Sequence, residues 1–337
     1  MTDTCELILE KLSQLCILYA DRLLQYNDDH LISYMSSYSS WLGVELATNE
    51  LAAQKLDNCD IFDKAKDFVL SLTETPAAAA AKAILKVMSS FPALASGRIN
   101  GVDLLLADNS LFDIDKYLRP NVGELFDLLP LRVKNSQSHS RVRVLDLSLV
   151  PCFDAIRIYT NFDEVSSSHL KPWNYTFAAR SEALLKAARK SIDENFTTNT
   201  KNQELLENIE YAKFDIGRDL FKQGFQDNEF QRQFDLIITT EEVLGMTSGL
   251  HDSLSRLRTL LNRDGALLIH VHTALQRRWL HCILGVLPSN RGEEGRRPRG
   301  PGVWETVLLD AEFRIETTAQ SNSVEESSWI VAKPMKD

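Results

Sequence analysis

The chain reads as an α/β protein: an open, Rossmann-like sheet in its second part, preceded by an all-helical segment. Three observations predict this. From 142 to 272, short apolar runs alternate with amphipathic stretches, the pattern of parallel βαβ units whose sheet is buried on both faces. Before 135, apolar residues recur at the helical period. At the end, Phe313–Thr318 and Trp329–Lys333 flank the polar run Gln320–Ser328, which gives a closing antiparallel pair.

The helical part comes first. Asp3 with Glu6 three residues later makes an N-cap, and Ile8, Leu12, Leu15, Cys16, Tyr19 and Leu23 trace one buried stripe. Further helices are expected over Leu31–Trp41, Asn49–Leu56 and Ile61–Leu72. Another begins where Pro76 occupies a first turn before Ala77–Ala81, a strong helix-forming run whose small side chains allow close packing. The aperiodic polar stretch Lys134–Ser140 is a loop, so the division expected is a helical lid domain over 1–135 and an α/β domain over 141–337.

In the second domain the strands fall at Val142–Leu147, Trp173–Phe177, Tyr211–Asp215, Phe234–Thr240 and Ala266–His272, with helices from Ser181 to about Asn195 and from His251 to Leu261. The first strand opens as a nucleotide-binding strand does. The glycine turn that brings backbone close to a nucleotide is missing, however, and Ser148, Leu149, Val150, Pro151 and Cys152 follow instead.

Composition narrows the classes. With 337 residues and 44% hydrophobic residues the chain buries a sizeable core. A net charge of -10 and a pI near 5.3 exclude a nucleic-acid-binding face. The five scattered cysteines lack metal-ligand spacing and fit buried thiols in a reducing compartment. The acidic N-terminus does not resemble a signal peptide, and no apolar run reaches the length of a membrane span, so a cytoplasmic protein is expected.

Four stretches together carry a resemblance: Phe91–Arg98 running through Val102–Leu106; Tyr175-Thr176-Phe177; Phe214–Asp219 followed by Gln223-Gly224-Phe225; and Leu284–Pro288 with Gly292–Pro301 and Trp304. The chain resembles the C-methyltransferase domain, with its helical lid, of fungal highly reducing polyketide synthases. The resemblance implies a class I methyltransferase sheet and an insertion that closes a substrate chamber. It also exposes departures. The glycine turn becomes Ser148, Leu149 and Val150, and the acid that holds the ribose of S-adenosylmethionine aligns with Ala178-Ala179. The histidine base aligns with Gly245, and its partner glutamate with Val271, flanked by His270 and His272.

A degenerate standalone form is therefore expected, with no cofactor and no metal. The first reading is a cofactor-independent cyclase, a pericyclase of Diels–Alderase type, acting on a polyunsaturated natural-product intermediate. The alternatives are a non-catalytic partner of a synthase or carrier domain and an atypical methyltransferase. Ligands of open α/β sheets bind at the carboxyl ends of strands, which nominates Thr240, Glu242, His270 and His272 as catalytic. Glu242, beside Glu241, equally suits a helix N-terminus, and either histidine equally suits packing. Trp279 and Trp304 are candidates for a hydrocarbon-facing wall, with core packing as the other reading. Met246 joins that substrate-facing set. Arg297 and Arg299 could receive a carboxylate or an acidic carrier, or belong to a solvated loop.

Overall fold

The computed structural model describes residues 2–26, 35–47, 56–108, 110–118, 142–152, 156, 173–196, 206–207, 209–223, 234–245, 247, 249–272, 278–287, 301–320 and 327–335. In chain order the elements are α1 (Thr2–Tyr26), α2 (Ser36–Ala47), α3 (Asn58–Ser71), α4 (Ala78–Ala95), α5 (Gly101–Leu106), α6 (Ser110–Leu118), β1 (Val142–Asp146), β2 (Trp173–Ala179), α7 (Glu182–Phe196), β3 (Glu210–Lys213), β4 (Phe234–Thr240), α8 (Glu241–Gly245), α9 (Leu250–Leu260), β5 (Leu261–His272), α10 (Arg278–Leu284), α11 (Pro301–Asp310), β6 (Phe313–Gln320) and β7 (Ser327–Pro334).

Two compact units result, Met1–Arg119 with Gln276–Arg297, and Pro120–Leu275 with Pro298–Asp337. The division expected from sequence differs, since 276–297 groups with the helices, while the polar loop at 134–140 lies outside the described residues.

In the helical unit, α1 completely buries Leu12, Leu15 and Cys16 of the expected stripe together with Leu9, while Ile8, Tyr19 and Leu23 are half-buried, and Asp3 lies within its first turn rather than before it. The expected helix 31–41 starts later, as α2, and 49–55 lies outside the described residues. At α3, Asp57 and Asp60 form a reciprocal capping box, with Asp60 N donating to Asp57 Oδ1 at 2.8 Å and Asp57 N to Asp60 Oδ2 at 3.2 Å. Helix α4 spans 18 residues of mean hydropathy 1.3, long and apolar enough to cross a membrane by length and composition, contrary to expectation. Its Ala80, Ala81, Ala83, Ile84, Val87 and Met88 are fully buried, as in the central helix of a bundle.

Two glycines in the stretches that carry the resemblance have steric reasons. A Cβ on Gly285 would lie 2.5 Å from the Tyr38 ring, and one on Gly101 would lie 2.2 Å from the Val286 carbonyl oxygen. Both let the 278–287 segment seat on α2 and α5.

The second unit is a seven-stranded sheet of order β3-β2-β1-β4-β5-β7-β6, with β1 to β5 parallel and β7 antiparallel to β5 and β6. This is the class I methyltransferase arrangement. Alternation along the strands divides the side chains. Leu145, Ile237, Leu267, Ile269, Ile330 and Ala332 share a core with Leu254 and Leu257 of α9 and Trp304 and Leu308 of α11. Their strand neighbours Val144, Tyr175, Phe177, Ile238, Leu268 and Trp329 are buried on the opposite face.

Candidate functional site

The carboxyl ends of β1, β2 and β3 converge with α8 on one crevice, lined by Ser148, Leu149, Ala179, Arg180, Asp215 and Thr247 among others. Three local structures shape it.

The turn after β1 is built around a buried carboxylate. Asp146 is fully buried and accepts hydrogen bonds from Ser148 N (2.8 Å), Cys152 N (2.7 Å) and the Tyr175 hydroxyl (2.5 Å). Charge-assisted bonds of this kind are short and strong, and here they fold the turn back on its own strand. Leu147 N donates to Ile238 O at 2.7 Å, which ties the turn to β4. Leu147, Leu149, Val150 and Cys152 are all buried around this turn.

At the end of β2, Ala178 and Ala179 present methyl groups only, and Arg180 follows. Ser181 Oγ accepts Leu184 N at 3.1 Å and caps α7. Past β3, Asp215 N donates to Gln223 Oε1 and Gln223 Nε2 donates to Asp215 O, each at 2.8 Å. The amide side chain thus acts as a false strand partner for Asp215. Asp215 Oδ1 accepts Gly217 N at 2.9 Å.

The space left between these turns is about 40 Å³, enough for a few waters. The Ser148 hydroxyl lines it, buried and without a hydrogen-bond partner among the described residues.

The nominated residues separate. Thr240 and His270 lie side by side in register on β4 and β5, both about 2% exposed. The His270 ring packs at 4.9 Å against Trp329, its register partner on β7. Neither lines the crevice; Thr240 Oγ1 instead faces Val243 N at 3.5 Å, at the start of α8. Glu242 sits in the first turn of that helix with the buried Glu241, where the dipole favours acid. Gly245, where the resemblance leads one to expect a histidine base, is buried, and Val271 belongs to the core shared with α9 and α11.

Both tryptophans take the core-packing reading. Trp304 is wholly buried in that core with Leu308, and Trp279 is wholly buried in the helical unit with its indole N–H donating to Glu6 Oε2 at 2.9 Å. A large ring at a helical apolar position serves the core unless a cavity adjoins it. Met246, Arg297, Arg299 and the His272 side chain lie outside the described residues. Arg180, Asp215 and Thr247, which do line the crevice, were not nominated; their positions just past strands or at a helix end were the available signal.

No family model matches the chain. Curated relatives do. The highly reducing polyketide synthase sphB of Aspergillus fumigatus is 25% identical over 287 residues, covering 84% of this chain and 10% of the synthase. For pspA of Penicillium soppii the identity is 27% over 275 residues, again over 10% of the synthase. The chain thus spans about a tenth of the length of the synthases it matches. Among solved structures, the citrinin polyketide synthase CMeT domain superposes with a TM-score of 0.66 at 14% identity, covering 98% of this chain and 90% of that one.

The chain is homologous to the C-methyltransferase region of fungal highly reducing polyketide synthases. The methyltransferase calH of Penicillium decumbens is 27% identical over 225 residues, 65% of this chain and 56% of calH. The CalH trans-methyltransferase, solved in complex with SAH, superposes with a TM-score of 0.70 over 97% of this chain at 18% identity. The C-methyltransferase fold is therefore complete here in its sheet order.

Proposed function

We propose that this methyltransferase-like protein has lost S-adenosylmethionine binding and acts in fungal secondary metabolism as a cofactor-independent cyclase, of Diels–Alderase type, on a hydrophobic polyunsaturated intermediate. The observation that carries the first half is the filled crevice. Its volume of about 40 Å³ compares with several hundred for ordinary ligand pockets. The residues present do not fit the cofactor: Ser148 and Leu149 line the crevice in place of a glycine turn, Ala179 offers no acceptor for ribose hydroxyls, and Asp146 is already bonded to its own turn.

The second half follows from what such a scaffold retains. A cycloaddition needs no base and no electrophile, only the two reacting ends held together, and positioning alone contributes up to about 7–11 kcal/mol in the best intramolecular cases. Loss of a base at Gly245 and of a carboxylate at Val271 removes proton abstraction but leaves positioning untouched.

One observation favours a second reading, a non-catalytic partner of a synthase or its carrier domain. Among the described residues, His270 is packed on Trp329 and both nominated tryptophans are core, so the side chains nominated from sequence do not converge.

Calorimetric titration with S-adenosylmethionine, beside an intact C-methyltransferase domain, tests the proposal. No heat is expected. Binding at micromolar affinity would overturn it. Incubation with polyunsaturated intermediates without cofactor then separates the two readings: accelerated ring formation supports the cyclase, and rates equal to the uncatalysed reaction leave the partner role.

A further inference from the structure

A second hollow opens on the sheet beside the crevice. Leu145 of β1, Ala178 of β2 and Ala212 of β3 form its floor, Phe214 stands at one end, and Phe234 and Leu260 stand at the side. Its volume is about 310 Å³, at the lower end of the ~300–1,000 Å³ usual for small-molecule pockets. Ala178 and Phe214 also line the crevice, so the two spaces adjoin. Strand alternation builds the floor: side chains two residues apart share a face, here the face whose core includes α9 and α11. Ala178 and Ala212 are register partners in the middle of that face, and two methyl groups leave depth that larger side chains would fill.

The rim is polar, and its two charges differ in how they are engaged. The Thr176 hydroxyl donates to Glu210 Oε2 at 3.1 Å. The Arg143 backbone N–H donates to Asp235 Oδ2 at 2.9 Å, and Asp235 Oδ1 accepts Asn262 Nδ2 at 2.6 Å, which fixes this end of β1 to β4. The Arg143 guanidinium, in contrast, has no hydrogen bond or ion pair among the described residues. In the β1–β2–β3 register Arg143 and Glu210 are two strands and two residues apart, roughly 12 Å between Cα atoms by strand geometry.

We propose that this hollow is a binding site for an amphipathic carboxylic acid, its carboxylate on the Arg143 guanidinium and its hydrocarbon chain laid along Leu145, Ala178 and Ala212 toward Phe214. A guanidinium offers a planar fork of donors that matches a carboxylate in a bidentate pair. From Asn174 to Ala178 the floor runs four residues, about 13 Å at ~3.3 Å each, which suits a chain of medium length. Glu210 sets the orientation, because a carboxylate is repelled at its rim and drawn to the opposite one. The site is independent of the proposed reaction and of S-adenosylmethionine, since Ser148, Leu149 and Ala179 do not line it.

Calorimetric titration of the full chain with octanoate tests this, beside acetate, which lacks the chain, and 1-octanol, which lacks the charge. Octanoate is expected to bind saturably and about tenfold or more tighter than either. Arg143→Gln should weaken octanoate about tenfold and leave 1-octanol unchanged, whereas Ala212→Leu, which fills the floor and keeps the guanidinium, should weaken both. Absence of saturable octanoate binding would overturn the proposal, as would binding that neither variant changes, or acetate binding as tightly as octanoate. If Ala212→Leu does not fold, amide chemical shifts of the unmodified chain decide. Octanoate-induced shifts at 143–145 and 210–212 support the site, and shifts confined to other residues, such as 147–149 and 215–217 at the crevice, remove it.

Discussion

The turns after β1 and β3 make an instructive pair. Both are shaped by one polar side chain: Asp146 gathers two backbone amides and a tyrosine hydroxyl, and Gln223 clasps both backbone groups of Asp215. Both border the same crevice. They differ in what they present to it. The β3 turn retains the residues that resemble the synthase region, including Gly217, whose amide bonds Asp215. The β1 turn presents Ser148, Leu149, Val150 and Pro151, all buried. Hydrogen bonds to the backbone shape both turns, and in the β1 turn buried side chains pack around them. Folding and ligand binding impose separable demands on a strand end.

The largest effect that would break this comparison is at Asp146. Replacing it with Ala leaves two buried amides and a buried phenol without their acceptor, each orphan costing about 1–3 kcal/mol, so a total of roughly 3–5 kcal/mol is expected. Thermal unfolding should then fall by about 10 °C for a unit of this size. A change of only a degree or two would mean that the turn is held by its apolar side chains alone.

Gln223→Ala comes next. It removes the two bonds to the Asp215 backbone, in a setting open enough for water to replace part of them, so a loss of about 1–2 kcal/mol is expected. The effect should be local, seen as faster exchange of the Asp215 and Gly217 amides with β1 unaffected. Equal loosening of both turns would show that they are one cooperative element rather than two independent ones.

These contrasts also explain how far the sequence was legible. Strand positions were, because each strand is a short apolar run bounded by polar residues; β4 falls on the expected Phe234–Thr240, and β5 only begins earlier, at Leu261. The missing glycines were legible too, because φ freedom and small size belong to one residue type. Side-chain destinations were not. His270 alternates correctly for a strand end, yet whether that face meets a pocket or Trp329 depends on β7, about 60 residues later in the chain. Trp279 suited an apolar wall or core packing equally from its residue type, and its hydrogen bond to Glu6, at the other end of the sequence, goes with burial in the helical unit. Such pairings are long-range, and periodicity carries no information about them.

Arg218→Ala is the smallest expected effect and the one that sharpens the comparison most. Arg218 Nε lies 3.4 Å from Asp215 Oδ2, with 77% of the arginine side chain exposed. An exposed pair of this kind contributes about 0–1 kcal/mol and is screened by salt. If the β3 turn is shaped by the Gln223 clasp and the Gly217 amide, Arg218→Ala should change stability by less than about 0.5 kcal/mol and leave the Asp215 amide as protected as before. A loss comparable to that of Gln223→Ala, diminishing at high salt, would instead make charge the organising force of this turn. The likeness to Asp146 would then deepen, since both turns would depend on a carboxyl side chain, one bonded by backbone amides in the core and the other paired with a guanidinium at the surface.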